Sequence, residues 1–171
     1  MVVLGLCLAV PAQQKSFPGA TNHTRSPNGR YEIQNVDNQR MEPAHTLLLI
    51  DLRSTNRRVL YKYGRHVDLS WSPASDALVI NDYEGSNSAK PVLFDLVTGS
   101  VGIDLKGEFL RLSGSPEDIR RAVDNHHVYF TAEKWLDDRE ILCRLSGYGE
   151  SNPQGFTKRY VYVMGSGFRK P

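Results

Sequence analysis

From Ser26 onward, short alternations of apolar and polar residues recur between tight polar turns. Ser26-Pro27-Asn28-Gly29 leads into Tyr31-Glu32-Ile33, and Ser72-Pro73-Ala74-Ser75-Asp76 leads into Ala77-Leu78-Val79-Ile80. A period of two, bounded by Pro, Gly, Asn, Asp and Ser, predicts strands joined by turns. The next strand recurs too: Leu48-Leu49-Ile50-Asp51-Leu52 matches Val92-Leu93-Phe94-Asp95-Leu96, each followed by a polar turn. A fourth short run closes each unit, Arg58 to Tyr61 in the first and Val101 to Asp104 in the second. The period is about forty-five residues, a length suited to four-stranded blades. A third copy aligns Trp135 to Leu142 without a gap on Trp71 to Leu78, and Tyr160 to Gly167 on Leu93 to Ser100.

The turn chemistry supports these strands. Pro73 presets φ after Trp71, whose large apolar body suits an inter-sheet core, and Asp76 can satisfy groups within the bend. Thr98-Gly99 supplies a hairpin to the last strand of the second unit. Between the second and third copies, Gly114 to Val123 reads as a helix: Ser115 at the N-cap, Pro116 at the first helical position, acids in the first turn, and Ile119, Ala122 and Val123 on one face. The expected fold is all-β, about three four-stranded antiparallel propeller-like repeats with one short inserted helix. Residues 26–171 form the repeat domain, and the polar 13–25 is read as a flexible leader.

On the Trp-Ser-Pro turn and the Asp-Leu-x-Thr-Gly hairpin, the sequence resembles the exported propeller repeats of the TolB and WD-like type. The resemblance covers 26–112 well and 131–168 more weakly, and it implies binding scaffolds or the regulatory domains of peptidases. Three units fall short of the four or more that usually close a ring. The units belong to a longer propeller, pack as an open fold, or are completed by other subunits in a homo-oligomer.

The first twelve residues are apolar and uncharged, with small side chains at Val10 and Ala12, as at a signal-peptidase site. They predict a signal peptide over 1–12 and a secreted or periplasmic protein; a buried N-terminal strand is the alternative. The run is too short for a membrane span. With 21 basic and 19 acidic residues, scattered along the chain, the net charge of +2 leaves no footprint for nucleic acid. Cys7 would leave with the signal, so Cys143 stands alone in an apolar stretch that suits an inert thiol.

The chain lacks a Gly-x-Ser-x-Gly nucleophile elbow, a phosphate loop and a dinucleotide fingerprint, so no catalytic residue and no cofactor is assigned. His126-His127 beside Asp124 is the densest metal-capable cluster, but adjacent strand residues point to opposite faces and share an ion only if they lie in a loop. Asp137-Asp138 fall in the turn position of the repeat. A metal-dependent hydrolase built on these groups is the enzyme alternative. The similar loops Tyr83-Glu84-Gly85-Ser86-Asn87 and Tyr148-Gly149-Glu150-Ser151-Asn152 occur at equivalent points of units two and three. Tyr83, Asn87, Tyr148 and Asn152 are therefore expected on one surface, with a composition suited to a protein or glycan ligand.

Overall fold

The computed structural model describes residues 14–38, 40, 42–99, 101–112 and 114–171. The expected signal segment, 1–12, lies outside the described residues. The chain is mostly β. The first unit is an antiparallel four-stranded sheet of β2 (His23–Arg25), β3 (Tyr31–Asp37), β4 (His45–Asp51) and β5 (Arg57–Tyr63), preceded by β1 (Lys15–Phe17). The second unit contains β6 (Val67–Trp71), β7 (Ala77–Asp82), β8 (Ser88–Asp95) and the two-residue β9 (Ile103–Asp104). After two helices, β10 (His127–Trp135), β11 (Glu140–Gly149), β12 (Asn152–Val163) and β13 (Gly167–Arg169) form the third.

Each unit presses one face onto the next. Ile33, Leu47, Leu49, Leu60 and Tyr63 of unit 1 meet Val67, Leu69, Trp71, Leu78, Ile80, Val92 and Phe94 on one face of unit 2. The opposite face of unit 2, Ala77, Val79 and Leu93, meets Phe130, Trp135, Ile141, Cys143, Tyr160 and Tyr162 of unit 3. Unit 2 is thus covered on both sides, which is why all six residues of β7 are buried and read as a nearly continuous apolar run rather than an alternation.

The backbone hydrogen bonds of the turns repeat in the first two units, though the serine hydroxyl donates to Asn28 in the first and to Asp76 in the second. Ser26 N–H donates to the Tyr31 carbonyl and Ser72 N–H to that of Ala77, both at 2.9 Å, while each serine hydroxyl accepts the returning amide at 3.0 Å. Gly29 and Ser75, at the same turn position, both have positive φ, 69° and 66°. Asp76 accepts the Ser72 hydroxyl at 2.9 Å. Adjacent turns are also joined to each other. The Asn28 amide donates to Ser75 Oγ at 3.0 Å, and the equivalent Ala74 amide donates to Asp138 Oδ1 at 2.7 Å.

Four features differ from the sequence expectation. The third-unit turn is one residue shorter: Trp71 pairs with Leu78, but Trp135 pairs with Ile141. Ile141 therefore takes the place of Leu78, and a gapless alignment would have put the wrong face of β11 into the core, because a one-residue slip reverses a strand's faces. There are two inserted helices where one was expected, α1 (Leu105–Leu112) ahead of α2 (Pro116–Asp124). In α1, Gly107 weakens the helical signal, yet Asp104 caps it by accepting the Gly107 amide at 3.0 Å, and Leu105 and Phe109 bury in the core. The residues read as a leader supply β1 and β2; β1 pairs with β6, and Phe17 enters the core between units 1 and 2. Finally, β8 pairs in parallel with β10 at Ser88–Val128 and Ala89–Tyr129, which joins units 2 and 3 into one nine-stranded sheet. Among the described residues the sheets do not close into a ring.

The helix α2 forms with the expected cap, but its buried face differs: Ala122 and Asp118 are buried, while Val123 is 64% exposed because it lies on the turn away from the sheet. Ser115 caps it, accepting the Asp118 amide at 3.2 Å and donating its hydroxyl to Asp118 Oδ2 at 2.6 Å. Burial opposes ionisation of Asp118, but the Ser115 and Tyr160 hydrogen bonds and nearby Lys158 and Arg121 outweigh it and hold its carboxyl below the usual range.

Candidate binding surface at the loop end of the sheet

The strand pairings place the start of β6, the end of β7, the starts of β8 and β10, the end of β11 and the start of β12 at one end of the long sheet. Both tyrosine-bearing loops emerge there. The first is tied down by its backbone: the Asn87 carbonyl accepts the Val128 amide at 3.0 Å, and the Ser86 carbonyl accepts the Tyr129 hydroxyl at 2.6 Å. A Glu84–Lys90 ion pair crosses its base. Asn87 is exposed.

Tyr83 is half-buried and engaged inward. Its amide donates to the His66 carbonyl at 3.0 Å, its ring lies 5.4 Å from the His66 ring, and its hydroxyl donates to Asp68 Oδ2 at 3.1 Å. Burial first, and then the Asp68 charge and hydrogen bond, push its phenol up to about 12.

Tyr148 is the tyrosine offered to solvent, with 50% exposure. One ring face stacks on His127 at 4.3 Å with 12° between planes. The backbone explains its position. Gly147 pairs with Phe156 while Gly149 pairs with Asn152, so Pro153, Gln154 and Gly155 of β12 stand opposite the single residue Tyr148; the bulge is on β12, with Gly155 at a φ of 75°, and Tyr148 keeps its pairing with His127. Gly147 is required because a Cβ would lie 2.2 Å from the His127 carbonyl oxygen. Around the bulge is an open concavity of about 420 Å³ lined by Tyr129, Ser146, Tyr148, Gln154, Phe156 and Thr157, with Gly147 and Gly155. Its lining carries no charged side chain.

Asn152 turns toward α2. Its Oδ1 accepts from Asn125 Nδ2 at 3.3 Å, and it borders a separate hollow of about 320 Å³ with Glu117, Arg120, Arg121 and Ser151. The four residues expected together are thus at one end of the sheet but face different neighbours. Tyr129, Ser146, Gln154 and Thr157 were not singled out in the sequence. Tyr129, Ser146 and Thr157 are cross-strand partners in one row, a relation that only the register of three strands reveals.

The other polar candidates have defined surroundings. His126 is exposed in the bend before β10, and His127 is the platform beneath Tyr148. Among the described residues, no group of three or more His, Cys, Asp or Glu side chains is placed to hold a metal ion. Asp137 Oδ1 accepts the Arg139 and Glu140 amides, each at 2.7 Å, and Asp138 is the acceptor for Ala74. Cys143 is buried in the core, where burial pushes its thiol up to about 12, with the Glu133 charge adding to the effect.

No family model matches the chain, and no curated protein matches it. Among solved structures, the chain is similar to TolB from Acinetobacter baumannii, with a TM-score of 0.45 and 12% sequence identity. That likeness covers 86% of this chain and 31% of the other, so the chain spans less than a third of that structure's length. No helix among the described residues is long and apolar enough to cross a membrane.

Proposed function

We propose that the chain is an exported β-repeat module, secreted or periplasmic, that binds a protein or glycan ligand at the loop end of its long sheet and performs no chemistry of its own. Kinship with the TolB and WD-like propeller repeats is part of the same proposal. The observation that carries it is Tyr148: half-exposed, next to a glycine that the close His127 carbonyl requires, opposite a bulge in β12, and stacked in advance on His127 beside an uncharged concavity. A rigid aromatic face with neutral hydroxyl and amide neighbours recognises a ligand at little ordering cost. Asn87, exposed at the first loop, extends the surface on the unit 2 side.

The test is a binding screen of the wild-type protein and Tyr148→Ala against arrays of neutral glycans and peptides. We expect a ligand whose affinity falls by roughly tenfold or more in the variant, the scale of a modest hot spot. Undiminished binding in Tyr148→Ala would place the ligand elsewhere. Turnover of an ester, peptide or glycoside, abolished by replacing one acidic or histidine residue, would overturn the non-catalytic reading.

A further inference from the structure

The open face of Tyr148 and the groups around it define what the concavity can hold. Tyr148 lies on β11, between β10 and β12, and its ring leans on His127 of β10, so its other face is turned toward β12. There the β12 bulge passes so close that a Cβ on Gly155 would lie 4.0 Å from that of Tyr148, and Gln154 of the same bulge lines the concavity. Two residues back along β11, about 7 Å away, Ser146 stands on the same face between its partners Tyr129 and Thr157. Tyr129 is held in place by its hydroxyl bond to the Ser86 carbonyl at 2.6 Å. An open aromatic face thus adjoins the hydroxyls of Ser146 and Thr157 and the carboxamide of Gln154, each of which donates and accepts hydrogen bonds.

Charge and size narrow the ligand further. The lining has no charged side chain, and the next row of this face, Arg144 with Arg159, is committed to Glu133 at 3.5 and 2.7 Å. A charged ligand therefore meets no free counter-charge in the concavity, and desolvating an unpaired charge is costly. A wholly apolar ligand would leave Ser146, Gln154 and Thr157 without partners. The volume of about 420 Å³ falls within the range of small-molecule sites, about 300–1,000 Å³, whereas a protein partner needs roughly 800 Å² of surface on each side. We propose that the concavity takes one neutral sugar ring, its C–H face on the open face of Tyr148 and its hydroxyls on Ser146, Gln154 and Thr157. The slightly positive C–H groups of such a ring suit the negative face of the phenol, and its hydroxyls match groups that both donate and accept. This assignment rests on the reading of the Tyr148 surface as a binding site and names its ligand class.

Chemical-shift mapping by NMR on the full chain tests this, with the methyl glycosides of glucose, galactose, mannose and N-acetylglucosamine as neutral probes and glucuronate as the acidic one. We expect at least one neutral probe to shift the amides of Ser146, Tyr148, Gln154 and Thr157 with a Kd on the order of 1 mM, the scale for so small a ligand, and glucuronate to bind no tighter. Tyr148→Ala should weaken that probe roughly tenfold or more, and Tyr148→Phe, which keeps the ring, should weaken it little. Thr157→Val, at an exposed position, removes one hydroxyl and should weaken binding about two- to tenfold, so it tests the site even if Tyr148→Ala fails to fold. A neutral trisaccharide that binds tighter than its monosaccharide supports a glycan chain as the source, and equal affinity supports the free sugar. No shift with any neutral probe, tighter binding of glucuronate, or shifts that survive unchanged in Tyr148→Ala and Thr157→Val would overturn the proposal. A peptide that loses affinity in Tyr148→Ala while no glycoside binds would leave the Tyr148 surface standing as a binding site and overturn the sugar assignment alone.

Discussion

Asn81 offers a sharp test of how units 2 and 3 are held together. Beyond the two parallel pairs at Ser88–Val128 and Ala89–Tyr129, the sheets diverge, and the Asn81 side chain bridges them. Its Nδ2 donates to the Ala132 carbonyl at 2.9 Å and its Oδ1 accepts the Ala132 amide at 2.8 Å, so the side-chain amide imitates one residue of a missing strand. Asn81 and Ala132 are both buried, and water does not replace the bridge easily. Asn81→Ala leaves a backbone donor and a backbone acceptor unpaired, at about 1–3 kcal/mol each, for a total of about 2–6 kcal/mol. For a domain of this size that corresponds to a Tm drop on the order of 10 °C. Asn81→Asp keeps the acceptor and loses the donor; it also sets a charge against the Ala132 carbonyl, so it should not rescue stability. Urea unfolding followed by tryptophan fluorescence reports the change, since Trp71 and Trp135 flank the two sides of unit 2. A loss below about 0.5 kcal/mol for Asn81→Ala, the range of ordinary surface substitutions, would refute the strand-mimic argument.

Asp82 is buried with Oδ1 unpartnered, and burial, reinforced by Glu84, raises its pKa against the opposing Tyr61 hydrogen bond of 2.6 Å. Its folded pKa lies above its unfolded value, so its stabilising contribution is complete below the unfolded pKa and is lost as pH rises through the folded one. Asp82→Asn should therefore gain stability relative to wild type between acid and neutral pH, measured as Tm against pH; parallel curves for the two proteins would sink the assignment. Ser115→Ala removes the cap of α2 and should cost about 0.5–2 kcal/mol in urea unfolding, and Ser115→Asp should recover little of it, because its carboxylate would face that of Asp118, to which the serine hydroxyl now donates. Equal stability of Ser115→Ala and wild type would mean that packing alone holds the helix.

The sequence by itself determined what depends on neighbouring residues. The Ser-Pro turns, the strands they introduce, the Ser115-Pro116 start of α2 and the Asx-type turn in which Asp95 Oδ1 accepts the Val97 and Thr98 amides are all satisfied within a few residues. The repeat was legible because each unit solves the same local problem with the same residue types. The expectation that both tyrosine loops lie at one end of the sheet followed from that repetition. Tertiary structure decided what depends on partners distant in sequence. The short turn after Trp135 reversed the faces assigned to β11, because side-chain direction in a strand is fixed by register and not by residue type. Lys15 to Phe17, polar but for one residue, became a strand because β6 offered an open edge and the core offered Phe17 a place. Tyr129 joined Tyr148 at the concavity only through three-strand pairing, and Asn152 left it for Asn125 on the side of α2. Strand pairing and face assignment are nonlocal, since the hydrogen bonds that fix them form between segments whose separation along the chain carries no trace of their contact.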